Sequence, residues 1–105
     1  MFMINGVPWD IEYVDSDSNL LLMPNGEYTL GCADNSVQIV YLSDDIYGDT
    51  LQKVLAHEIC HAVCFSYSLN LSDDEEEKFC DLIATYGFEI LDITDMLYQI
   101  FRRVA

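Results

Sequence analysis

Ten residues, 55–64 (Leu-Ala-His-Glu-Ile-Cys-His-Ala-Val-Cys), constrain the fold more than any other part of the chain. His57 and His61 are its only two histidines. On a helix their four-residue spacing sends both imidazoles from one face, one turn apart. Such a pair supplies two nitrogen ligands to one Zn²⁺ at about 2.0–2.1 Å each. Glu58 is rotated by roughly 100° from His57, which puts it beside such an ion rather than on it. A carboxylate there can take a proton from metal-activated water. The flanks fit a largely buried helix, because Leu51, Val54, Leu55, Ile59, Ala62, Val63 and Phe65 leave only narrow polar gaps.

Around this helix the 105 residues read as one α+β domain, long enough for one modest core. The expected architecture is a small antiparallel sheet of three or four strands, within about residues 2–42, packed on two or three helices. Phe2–Ile4 and Val7–Val14 read as strands joined by an Asn5-Gly6 turn. Pro8 restricts the second to an edge or a strand start. Residues 20–23 suit a short helical turn, and residues 28–33 and 37–42 a hairpin closed at Asp34-Asn35-Ser36. The site helix is expected over about residues 49–67, capped by Asp49 or Thr50. Ser72 and Glu75 form a capping box that opens a second helix over about 72–86. A bend or break near Gly87 and a C-terminal helix over about 88–103 follow, with Ile90, Ile93, Leu97, Ile100, Phe101 and Val104 at helical spacing.

A catalytic zinc takes three protein ligands and keeps a position open for water. The third must come from outside the histidine helix. Glu75 is committed to the capping box, which leaves Glu76 and Glu77. Glu77 is preferred, because Asp81 follows one turn later and Cys80 and Ala84 are small enough to let two helices approach closely. Ligand histidines donate their second ring nitrogen to a carboxylate, and Asp81 is placed for that duty. Glu76 stands as the alternative third ligand. Cys60 and Cys64 share the histidine face, but side chains two turns apart diverge by about 10 Å along the axis and cannot wrap one ion. They read as small packing residues. A purely structural zinc would need Cys64 or Cys80 as a fourth ligand.

The order His57-Glu58-x-x-His61, a short connection, then Glu77-x-x-x-Asp81 resembles the gluzincin group of zinc metallopeptidases. Over roughly residues 28–90 the chain is similar to the compact phage and mobile-element relatives of the ImmA/IrrE-type peptidases. The resemblance implies a minimal zincin-like domain that hydrolyses peptide bonds, with His57, His61 and Glu77 on zinc, Glu58 as general base and Asp81 orienting a histidine. An oxyanion donor besides zinc is then needed, and Tyr67 and Tyr86 are the candidates. The strand at residues 37–42 is the expected edge for an extended peptide.

Charge sets the remaining expectations. Nineteen acidic residues against four basic ones leave a net charge of −15, which disfavours direct nucleic-acid binding. It suits a basic peptide or protein partner. The same acidity admits a non-catalytic alternative, in which a zincin-like fold occupies a basic nucleic-acid-binding surface as phage-encoded anti-CRISPR inhibitors do. Cys32, Cys60, Cys64 and Cys80 show no framework spacing and read as reduced. With no signal segment and no long apolar run, the expected place is the cytoplasm of a bacterium or phage-infected host, away from membranes.

Overall fold

The structure, a computed structural model, describes residues 1–103. Strands β1 (Phe2–Ile4) and β2 (Val7–Val14) pair antiparallel across a two-residue turn. Asn5 and Gly6 both take positive φ there, 50° and 75°. Two left-handed residues give the turn whose twist matches a hairpin, and Asn-Gly is the pair that adopts it at least cost.

Strands β3 (Gly31–Asp34) and β4 (Ile39–Ser43) form a second hairpin, and the sheet order is β1-β2-β4-β3. The fold is α+β as expected, with one difference inside the sheet. β2 lies parallel to β4, from Asp10 opposite Ile39 to Val14 opposite Ser43, so the sheet is mixed rather than wholly antiparallel. Parallel neighbours need a crossover. The chain makes it through residues 15–38, which hold a 3-10 turn (Asn19–Leu21) and β3. Pro8 precedes the β2–β4 ladder, which begins at Asp10, so its missing N–H costs that ladder nothing.

Helix α1 (Gly48–Ser66) lies on the sheet over a core of Trp9, Val40, Leu42 and Ala62, with Leu51, Val54, Leu55, Ile59 and Phe65 packed around it. Its C-terminal end is pinned to the first hairpin. Trp9 stacks on Phe65 with centroids 6.3 Å apart and donates its indole N–H to Ser66 Oγ at 2.8 Å. Asn5 donates to the Ser66 carbonyl at 3.1 Å. At the other end Tyr47 is the N-cap residue and makes no side-chain cap, so neither Asp49 nor Thr50 caps the helix. Asp49 sits in the first turn, where the dipole favours an acid.

Helix α2 (Asp73–Phe101) is continuous for 29 residues. Its capping box is complete: Glu75 N–H donates to Ser72 Oγ at 3.2 Å, and Ser72 N–H to Glu75 Oε1 at 3.0 Å. The expected break at Gly87 does not occur. A helical glycine costs only about 1 kcal/mol relative to alanine, and neither a proline nor an inserted side chain is present to turn that weakness into a kink. The two helices expected over 72–86 and 88–103 are therefore one. Its first half packs on α1 through buried Cys80 and Ala84. From Phe88 to Arg103 every residue is exposed, and the molecule is accordingly elongated, 55 × 30 × 28 Å. Val104, which continues the apolar spacing, lies outside the described residues. No helix among the described residues is long and apolar enough to cross a membrane.

Candidate metal centre

α1 and α2 run antiparallel, and four small side chains at their contact, Cys60, Cys64, Cys80 and Ala84, let the backbones approach closely. That closeness decides which acids reach the histidines. His61 Nε2 lies 2.7 Å from Glu77 Oε1, His57 Nε2 lies 3.3 Å from Glu77 Oε2, and the two Nε2 atoms are 3.2 Å apart. On the far side of each ring, His57 Nδ1 meets Asp81 Oδ1 at 3.0 Å and His61 Nδ1 meets Glu76 Oε2 at 2.6 Å.

The chemistry of this donor set fits a cation. Each Nδ1 has a carboxylate to donate to, which leaves both Nε2 lone pairs facing inward. In the tautomers those contacts favour, two lone pairs and a carboxylate converge, and they repel unless a proton or a cation lies among them. Ligands at 2.0–2.1 Å in a tetrahedron sit about 3.3–3.4 Å from one another, close to two of the spacings here, while His61 Nε2 and Glu77 Oε1 stand nearer at 2.7 Å. One atom from each of His57, His61 and Glu77 falls within a 4.8 Å group. Part of the demand for positive charge shows in the titration of His61. Burial works against a charged His61, but its hydrogen bond to Glu76 and the carboxylates of Glu58 and Glu77 outweigh burial and raise its pKa.

Glu58 lies beneath β3, only 6% exposed, and its Oε2 has no hydrogen-bond partner. Gly31 makes room for it. A Cβ at residue 31 would fall 2.8 Å from Val54 Cγ1 and 2.9 Å from Glu58 Cγ. Burial raises the Glu58 pKa; His61 and His57 pull it down and Glu77 pushes it up. A buried, unsatisfied carboxylate costs stability, about 1–3 kcal/mol, and its place beside the two rings makes it a candidate functional group.

These groups line a cleft of about 660 Å³ between α1, α2, β3 and residues 20–24. The structure thus brings together His57, His61, Glu77, Glu58 and Asp81 in the arrangement expected. Glu76 does not join the ligand group; it holds the His61 ring from behind. Its rotation by roughly 100° from Glu77 points it along α1 rather than between the rings. Tyr67, at the C-cap of α1, and Tyr86 are not in the cleft lining, and both are more than half exposed. The strand at 37–42 is not an edge, since β4 is bracketed by β2 and β3; the edge beside the cleft is β3. Lys53 was missed, and it is the one cation among the described lining residues. Its position one turn before His57 was the available signal.

Cys60, Cys64 and Cys80 form a second group with sulfur atoms within 4.8 Å of one another. They are free and buried. Burial is the main cause of their raised pKa values, and the Glu76 carboxylate adds to it at all three. Neutral thiols packed on one another fit this environment, and their small size lets the two helices approach closely.

Comparison with protein-family models, with curated proteins and with solved structures finds no match to this chain.

Proposed function

We propose that the chain is a zinc-dependent metallopeptidase of the compact gluzincin kind, a hydrolase similar to the ImmA/IrrE-type enzymes. The observation that carries this reading is the convergence of His57 Nε2, His61 Nε2 and the Glu77 carboxylate, each ring held from behind and an unpartnered buried carboxylate alongside. Two imidazoles and one carboxylate form a donor set that zinc takes in peptidases, whereas calcium and magnesium favour oxygen alone.

His57, His61 and Glu77 would hold the ion, which when bound supplies a Lewis acid and lowers the pKa of water to about 7. The chain's own groups do the rest. Asp81 and Glu76 keep the rings oriented. As water adds to the peptide carbonyl carbon, Glu58 accepts its proton at Oε2 and returns it to the amine nitrogen when the C–N bond breaks. Burial, by raising the Glu58 pKa, strengthens its carboxylate as a proton acceptor. The β3 edge offers backbone groups to an extended substrate, and Lys53 replaces Tyr67 and Tyr86 as the donor assigned to the oxyanion.

Elemental analysis combined with Glu58→Gln tests the reading. We expect one zinc per chain in both proteins, and peptide cleavage reduced by about 10²–10⁴-fold in the variant. A purified protein that takes up no zinc defeats the proposal. Biological activity that survives Glu58→Gln replaces it with the acidic-inhibitor reading, which the net charge of −15 favours.

A further inference from the structure

We infer that the chain forms an antiparallel homodimer through the outer half of α2, in a register that sets Glu89 of each copy against Arg103 of the other. The inference is independent of the metal centre. Its first ground is a heptad seam. Phe79, Ile83, Tyr86, Ile90, Ile93, Leu97 and Ile100 alternate spacings of four and three over three heptads. Every a and d position of this stretch is apolar, as in the seam of a paired helix, and further exposed apolar residues, Leu82, Leu91, Met96 and Phe101 among them, flank it. The seam is not the face turned to α1, which carries Glu76, Cys80, Ala84 and Gly87. All seven seam residues lie between 36% and 56% exposed. A helix with this periodicity is made for a second helix, and the domain does not supply one.

The charges that flank the seam are self-complementary in one direction only, which points to a second copy and sets how it lies. A parallel pair would place the two acidic runs Asp73 to Glu77 side by side, which like-charge repulsion opposes. An antiparallel pair sends them to opposite ends. When Ile90 faces Ile100 of the second copy and Ile93 faces Leu97, the flanking positions on one side are Glu89 and Arg103, and two-fold symmetry makes the pair twice. Among the described residues neither Glu89 nor Arg103 takes part in an ion pair.

The same register accounts for Gly87. On the other flank it sets Phe101 of the second copy over Gly87. Beside this glycine lies an apolar cavity of about 190 Å³ lined by Ala56, Ile83, Gly87, Phe88, Ile90 and Leu91. A cavity of about 150 Å³ holds a benzene ring. Within one chain nothing requires glycine there, since an added Cβ would meet only Ile83, its Cγ2 at 3.4 Å and its Cβ at 4.0 Å, ordinary van der Waals contact. The missing side chain leaves the hole that the incoming ring fills.

Sedimentation equilibrium of the full chain over the micromolar range tests this. We expect a reversible dimer whose dissociation constant rises by about 30-fold or more in Ile93→Glu, with the circular dichroism of the dilute monomer unchanged. Glu89→Arg should weaken the dimer by about 3–10-fold, and Glu89→Arg combined with Arg103→Glu should restore it. A wild-type chain that stays monomeric, a dimer indifferent to Ile93→Glu, or a double exchange no tighter than the single one overturns the inference.

Discussion

Helix α2 has one continuous backbone and two unlike halves. From Asp73 to Ala84 its acids are put to specific use: Glu75 closes the cap, Glu76 and Asp81 hold imidazoles, and Glu77 faces the space between them. From Phe88 to Phe101 the acids Glu89, Asp92 and Asp95 touch no cation among the described residues, and large apolar side chains stand in solvent. Composition alone would predict the reverse, since the half without a partner is the richer in large apolar residues and the poorer in acids. What separates them is the presence or absence of α1 opposite: an acid becomes a positioning group only where a neighbouring helix brings it a partner, and an apolar side chain becomes core only where something covers it.

If that contrast is right, substitutions in the two halves should differ sharply. The largest effect is expected at the acids that orient the rings. Glu76→Gln and Asp81→Asn should each weaken zinc binding by about 10–100-fold, measured by competition with a chromogenic chelator, whereas Asp92→Asn should leave it unchanged. Equal effects at 81 and 92 would erase the distinction.

Gly31→Ala comes next. The added carbon meets Val54 and Glu58, so we expect a loss of about 1–3 kcal/mol in chemical denaturation, together with reduced cleavage because Glu58 is displaced.

A pH series on the metal-free protein sharpens the comparison from the Glu58 side. Burial raises the folded pKa of Glu58 above its unfolded value, so the favourable contribution is complete below the unfolded pKa and is lost as pH rises through the folded one. Glu58→Gln should therefore be more stable than wild type at neutral pH, by about 1–3 kcal/mol. The gap should close in acid, below about pH 4. Zinc-free thermal melts at several pH values would show a constant gap if burial were not the cause. The smallest effect belongs to the outer half. Tyr98→Ser should change the stability of the dilute monomer by no more than about 0.5 kcal/mol.

Much of this could be read before any coordinates. The Asn5-Gly6 hairpin, the Ser72–Glu75 box and the helical placement of His57 and His61 all follow from local chemistry, and each stands where expected. The failures share a cause. The break at Gly87 was inferred from a weak local preference that a long helix overrides. The wholly antiparallel sheet and the edge at 37–42 rested on local pattern, while strand order and direction depend on how the chain crosses over. Tyr67 and Tyr86 were chosen by residue type alone, and both are on the surface.

The amino-acid order by itself determined the kinds of donor, their spacing within each helix and the ends of α2, because these depend on contacts within about one turn. Tertiary structure decided between Glu76 and Glu77. Adjacent helical residues differ by about 100° of rotation, so which of them faces the rings depends on how α2 is turned against α1. Cys60, Cys64, Cys80 and Ala84 set that rotation by packing closely where larger side chains could not.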